Sequence, residues 1–368
     1  MKNTIIQISL FLGFILGVNA QEKLDEIIPV RGICLSIPDN DNVDRFVKFI
    51  NEELVPKKVN TMVLMIHYNY EYKSHPELVS DNAISKKDLK TIVKACKDGG
   101  IRLIPQVNLL GHQSWHGKVY TLLTEYPQFN ETPKVVMPAD GEYEWPNPDG
   151  LYCLSYCPLH PDVHAIVFDL VDEIMEVCEA DAFHAGMDEV FYLGHDQCPR
   201  CRGRDKAELF AGEITKIRNH LAKSGKELWI WGDRLIDGKT TGIGVWSGSM
   251  NNTHRSIDMI PKDVVINDWH YRRANPTAAL FALKGFKVIT CPWGVADVAK
   301  TQLHQMVNFR KHATDETKEN YAGMMQTIWS GTTSFMDGYY GITDPESRRG
   351  NQVKCFNTLF EEINKLDD

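Results

Sequence analysis

The sequence predicts a single (β/α)8 barrel, and three observations lead there. Eight short apolar runs rich in β-formers alternate with helical stretches along the chain. No glycine-rich phosphate loop follows the first run, which disfavours a dinucleotide-binding sheet. No Pro/Gly/Ser linker, repeat or low-complexity tract divides the chain, and closed α/β barrels reach 368 residues as one unit. Strands that are apolar almost throughout suit a parallel sheet covered by helices on its outer side.

In chain order, residues 1–20 read as a secretory signal peptide. Lys2 supplies the positive start, Ile5 to Val18 the apolar stretch, and Val18-Asn19-Ala20 the cleavage site. The stretch is too short for a membrane span, so an exported protein is expected, periplasmic or secreted, with the barrel at 21–368. The first strand is 32–37 (GICLSI), followed by a helix over 43–55, and the second is 61–68 (TMVLMIHY). Ser85-Lys-Lys-Asp88 resembles a capping box and opens a helix that stops at Gly99-Gly100. The third strand is 102–107 (RLIPQV). A long segment over 108–160 then carries Trp115, Tyr120, Tyr126, Tyr143, Trp145 and Tyr152, and loops of this length in compact enzymes are usually functional. Pro161 opens an amphipathic helix leading to the fourth strand at 182–185. The fifth, 227–231 (ELWIW), follows a helix closed by Gly225. The remaining strands are 264–267, 287–290 and 323–328, and a last helix covers 352–366.

Net charge of −9 argues against nucleic-acid or anionic-membrane partners, which need basic patches. Nine cysteines leave at least one thiol free if all pairing is intramolecular. Cys34, Cys96 and Cys291 sit in apolar runs and read as buried small side chains. Cys198-Pro-Arg-Cys201 leaves two readings open: half of a structural zinc site completed by Cys153 and Cys157, or a short disulfide loop. No catalytic metal spacing and no cofactor motif occurs, and nothing indicates an oligomeric state.

Active-site groups of such barrels lie just past the C-terminal ends of the strands. Strand two ends at His67-Tyr68-Asn69, strand three at Asn108 with Gly111-His112, and strand four runs through His184 to Asp188-Glu189. Strand five ends at Trp231-Gly-Asp233, strand six at Asp268-Trp269-His270-Tyr271, strand seven at Trp293 and strand eight at Trp329. Two adjacent carboxylates beyond a buried strand repel each other, so one pKa should rise and supply a proton donor near neutral pH.

These residues resemble a known family. His184-Ala-Gly-Met-Asp188-Glu189 is similar to the H-x-G-G-D-E signature of family 20 glycoside hydrolases, the β-N-acetylhexosaminidases. The segment from Leu159-His160-Pro161 resembles the stretch preceding that signature, and 105–112 (PQVNLLGH) resembles the family's P-E-I-D-x-P-G-H. Arg31-Gly32 resembles the family's opening of strand one. The resemblance implies a retaining, substrate-assisted glycosidase with no cofactor, acting on terminal N-acetylhexosamine of a glycan. Glu189 would be the general acid and Asp188 would orient the 2-acetamido group, an exception to the two-carboxylate scheme. Arg31 would hold sugar hydroxyls, His112 would bind substrate and His184 would tune Glu189. Trp231, Trp269, Trp293 and Trp329 would line the pocket, with Tyr271 a candidate for the acetamido-binding tyrosine. Met187 replaces the signature's second glycine, Asn108 an acidic residue and Trp293 a tyrosine. The family's small N-terminal α/β domain is not expected ahead of strand one. A retaining glycosidase for another sugar, or a catalytically silent sugar-binding barrel, are the alternative readings.

Overall fold

A computed structural model describes residues 23–115, 118–133, 153–343 and 347–367. Eight parallel strands close on themselves: β1 (Val30–Ser36), β2 (Thr61–Met65), β3 (Arg102–Leu109), β4 (Ala182–Gly186), β5 (Glu227–Trp231), β6 (Val265–Trp269), β7 (Val288–Cys291) and β8 (Tyr321–Thr327). Each strand pairs with its sequence neighbours, and β8 closes the barrel on β1 with Val30 opposite Gly323 and Cys34 opposite Thr327. This is the predicted (β/α)8 fold, with strand bounds shifted by a few residues. The expected signal peptide, and Tyr143, Trp145 and Tyr152, lie outside the described residues.

The two-residue period of a strand sorts its side chains into two cores. On β2, Met62 and Leu64 point outward into the main core beneath the helices, while Val63 and Met65 point into the barrel. β5 divides likewise, with Leu228 and Ile230 outside and Trp229 and Trp231 inside. Such double burial explains why the strands read as unbroken apolar runs. Cys34 and Cys291 fill the barrel interior and Cys96 the outer core, as small apolar side chains.

The helices follow their sequence signals. α1 (Val43–Phe49) continues through a wider turn, in which Val55 N–H donates to Ile50 O, so the expected 43–55 helix is one piece of two geometries. α2 (Lys86–Asp98) is capped by Ser85, whose Oγ accepts the Asp88 N–H at 3.2 Å. α3 (Val163–Cys178) ends at Glu179 in the left-handed conformation. α4 (Lys206–Ala222) is capped by Asp205, which accepts from Ala207 and Glu208 N–H. α5 (Thr277–Leu283), α6 (Ala296–His312), α7 (Thr332–Tyr339) and α8 (Arg348–Asn364) complete the outer layer. In the segment after β3, Ser114–Trp115 pairs antiparallel with Lys118–Val119, and Asn130 bridges to Tyr156. Among the described residues no helix is long and apolar enough to cross a membrane.

Candidate active site

Strand C-termini, and the loops that follow them, surround a cavity of about 730 Å3, within the range of small-ligand sites. Asp188 and Glu189 reach it from the turn that leaves β4. That turn is held in an uncommon backbone path: Gly186, Met187 and Glu189 have φ of 70°, 72° and 48°. Glycine is favoured at 186 by its φ of 70° and because an added Cβ would crowd the Asn108 side chain and stand 3.2 Å from the Asn108 Cα. Gly111 is needed for close approach as well, since a Cβ there would lie 2.9 Å from the Asp188 carbonyl oxygen. The loops after β3 and β4 thus lie backbone to backbone, and His112 arrives beside the acid pair.

His112 binds both acids: its Nε2 lies 3.1 Å from Asp188 Oδ2 and 3.3 Å from Glu189 Oε2. Its Nδ1 is 3.4 Å from Cys153 Sγ. Burial opposes charging of this ring, but attraction to Asp188 and the hydrogen bonds around it outweigh burial and hold its pKa well above the ordinary histidine value. Burial pushes the Cys153 thiol up to about 12, so the sulfur facing His112 is a neutral thiol and Asp188 is the partner that charges the ring. Burial alone would raise Asp188; the His112 charge and hydrogen bond reverse that and place it below the usual aspartate value. The repulsion expected to raise one member of the pair is therefore answered, for Asp188, by a shared imidazolium. The carboxyl that does rise, to about 6, is Asp233, through burial and the nearby Asp188 charge against the opposing pull of Arg234. Asp233 accepts the Glu189 N–H at 3.0 Å and the Arg234 Nε–H at 2.6 Å, and so props the pair from beneath.

His184 is fully buried and does not line the cavity. Burial, chiefly, lowers its pKa to about 3, so the ring is neutral. Its Nδ1 accepts the Gly186 N–H at 3.0 Å, and its ring packs 4.6 Å from Trp231. His184 therefore shapes the turn rather than touching Glu189.

The aromatic wall forms where strands six to eight end. Trp269, Tyr271, Trp293 and Trp329 all line the cavity. Tyr271 stacks on Trp269 at 5.0 Å and 28°, meets Trp293 at 5.4 Å, and accepts the Trp329 indole N–H at 2.9 Å. Trp231 is placed differently from the sequence expectation. It is wholly buried one layer below, packed against His184 and 5.8 Å from Trp329, because residue 231 points into the barrel where the strand is still paired. Arg31 is a clearer correction. It sits at the N-terminal end of β1, on the opposite rim, where it donates to Asp25 at 2.7 Å and to the Lys58 and Ile28 carbonyls. A residue opening a parallel barrel strand faces the end away from the cavity, so Arg31 serves the fold.

His67, Gln106, Asn108, Trp115, Tyr120, Trp246, Ser330 and Gln352 also line the cavity, beyond the residues that the sequence assigns to catalysis or substrate binding. Positions 67 and 108 were visible as strand ends. Trp115 stacks on His112 at 5.9 Å and 20°, and Trp246 packs edge-on against Phe191. Trp246 stands in the Gly- and Ser-rich stretch 242–249, where no periodic pattern assigns it to a core, and that was the available signal.

A closed barrel with carboxylates and indoles at its strand C-termini has the layout of the carbohydrate-active (β/α)8 class. The model of glycosyl hydrolase family 20, catalytic domain, matches residues 58–337, and the chain belongs to this family. Among named relatives, a beta-hexosaminidase of Akkermansia muciniphila is 26% identical over 158 residues, covering 40% of this chain and 29% of the relative. A beta-hexosaminidase of Emericella nidulans is 21% identical over 292 residues, 70% of this chain and 42% of the relative. The chain thus spans less than half the length of these relatives. Among solved structures, the beta-N-acetylhexosaminidase of Bacteroides fragilis superposes with a TM-score of 0.62 at 17% identity, covering 90% of this chain and 66% of that one. Flavobacterium johnsoniae chitobiase gives 0.59 at 17% identity, covering 92% and 51%. At that identity the superpositions speak for the fold.

Proposed function

We propose that the chain is a retaining glycosidase that releases terminal N-acetylhexosamine from glycans, with the substrate's own acetamido group as nucleophile. One observation carries the reading: Asp188 is held as a carboxylate by His112 through Oδ2, while its Oδ1 is buried and has no hydrogen-bond partner among the described residues. A buried carboxylate oxygen without a donor is costly, and an acetamido N–H is a donor that would satisfy it. In this scheme Glu189 donates its proton to the glycosidic oxygen as the bond to the anomeric carbon breaks. The acetamido carbonyl oxygen attacks that carbon from the opposite face, giving an oxazolinium ion whose N–H is held by Asp188. Glu189, now a carboxylate, takes a proton from the water that reopens the ring, and configuration is retained. The indoles of Trp269, Trp293 and Trp329 offer flat apolar surfaces for a sugar ring. Tyr271 already accepts the Trp329 N–H, which leaves its hydroxyl hydrogen to donate to the acetamido oxygen.

Aryl N-acetyl-β-glucosaminides, the galactosamine epimers and plain aryl glucosides test the scheme against wild type, Glu189→Gln and Asp188→Asn. Turnover should be confined to the N-acetyl substrates. Glu189→Gln should lose about 10²–10⁴-fold, most with poor leaving groups, and Asp188→Asn about 10²–10³-fold with any leaving group. Equal turnover of plain glucosides would overturn substrate assistance, and bound sugar without turnover of any glycoside would leave a silent sugar-binding barrel.

A further inference from the structure

A second cluster of reactive side chains lies outside the cavity. Cys157, Cys198 and Cys201 are buried together with Glu131, and the three sulfurs and a carboxylate oxygen all lie within 4.8 Å of one another. Cys157 Sγ is 3.3 Å from Cys201 Sγ and 3.4 Å from Cys198 Sγ. Within the Cys-Pro-Arg-Cys turn, the Cys201 N–H points at Cys198 Sγ at 3.3 Å. Cys153, grouped with these by sequence spacing, is elsewhere, against His112.

We propose that this cluster is a structural Zn2+ site with Cys157, Cys198, Cys201 and Glu131 as its four ligands. Four features support it. The ligand set is three sulfurs and one oxygen, which suits tetrahedral zinc, and the Cys-x-x-Cys spacing is that of closed structural sites. With Zn–S bonds of about 2.3 Å, tetrahedral sulfurs stand roughly 3.8 Å apart, near the separations found here. A disulfide would join two of three nearly equivalent sulfurs and leave the third, and the carboxylate, unaccounted for. Glu131 supplies an independent sign. Its side chain is completely buried; one oxygen, Oε1, accepts the His195 N–H at 3.1 Å, while Oε2 has no hydrogen-bond partner among the described residues. A buried carboxylate oxygen beside three sulfurs is expensive unless thiol hydrogens or a cation take it, and a single cation would take the carboxylate and all three sulfurs together. The His195 N–H is also the outer hydrogen bond that orients a ligating carboxylate.

The site would have a purpose in this fold. Cys157 closes the long loop after β3, which carries His112 and Cys153, while Cys198 and Cys201 sit on the loop after β4, which carries Asp188 and Glu189. One ion joins the two loops whose contact sets the geometry of the acid pair.

Metal content decides the proposal without reference to glycosidase activity. Full-length protein purified without chelators, analysed by elemental mass spectrometry, should hold about one zinc per chain. Thiol titration of the native protein should leave Cys157, Cys198 and Cys201 protected until a strong chelator releases both the metal and the thiols. Cys198→Ser should abolish stoichiometric zinc. Glu131→Gln, a gentler change, should fold and lose zinc to a competing chelator at least about tenfold more readily. Metal-free protein in which two of the three cysteines are linked by a disulfide on peptide mapping would overturn the site. So would metal-free protein with three free thiols and unchanged thermal stability in zinc, or another metal held in zinc's place.

Discussion

His112 makes the sharpest single-residue prediction, because one nitrogen serves two carboxylates. Removing it in His112→Gln deletes the charge that keeps Asp188 below its ordinary range, and burial, the largest influence on that carboxyl, then raises it. In the proposed mechanism Asp188 must be ionised to hold an acetamido N–H, so the acidic limb of kcat/KM should move to higher pH. The rate at the optimum should fall about 10²-fold as the pair loses its fixed spacing. A profile that drops in height without moving would assign His112 a packing role only. The residue was legible as a strand-three follower, yet its position between the two acids was not. That placement depends on Gly111 lying against the Asp188 carbonyl, and such a contact between distant loops leaves no local pattern. Arg31 shows the converse. A motif match put it in the pocket, whereas its place at the start of a strand sets it on the other rim.

At the scale of the element, β8 is where the barrel closes, and Gly323 controls the closure. Tyr321 and Met324 face the outer core while Ala322 and Met325 face the interior, so the strand carries one residue more than strict alternation allows. The pairing with β7 shifts register at the same place, and Gly323 has φ of 149°. A side chain there would put Cβ 2.1 Å from the Val30 carbonyl oxygen, a backbone atom of β1 that cannot swing aside. Gly323→Ala should therefore destabilise by about 3 kcal/mol or more and lower the thermal midpoint by on the order of 5 °C. Gly285→Ala is a useful control for positive φ alone, since nothing lies within 4 Å of the added carbon. Equal losses in the two variants would remove the steric argument. The strands themselves could be read from sequence because burial on both faces makes them uniformly apolar. The bulge could not, since a glycine near a strand end looks like a boundary, and the expected strand accordingly began at 323 rather than Tyr321.

The molecule as a whole carries the histidines around its acid pair in opposite electrostatic states, and this shapes how its stability depends on pH. His67 and His184 are buried and neutral, with pKa lowered from 6.5 to about 4 and about 3, burial being the main cause in each. Between pH 6.5 and those values the unfolded chain binds protons that the fold refuses. Each ring therefore removes about 1.4 kcal/mol of stability per pH unit as the pH falls. Asp233, raised by burial from 3.8 to about 6, acts in the other direction: the fold keeps a proton that the unfolded chain releases, offsetting one histidine between those limits. His112, whose folded pKa lies well above 6.5, stabilises the fold below that pH, and its contribution is lost as pH rises toward its folded value. Net, these groups place maximal stability near pH 6.5, with an acid limb about one proton steep and an alkaline limb set by the imidazolium between Asp188 and Glu189. Denaturant unfolding across pH 4.5–9 measures both limbs, at roughly 1.4 kcal/mol per unit for each proton. His67→Gln should flatten the acid limb and leave the alkaline slope unchanged, whereas His112→Gln should flatten the alkaline limb and, because Asp188 and His67 both rise once the imidazolium is gone, make the acid limb shallower as well. Stability that climbs steadily from pH 6.5 to 5 would contradict the neutral buried rings, and with them the claim that a single charged histidine organises the acid pair.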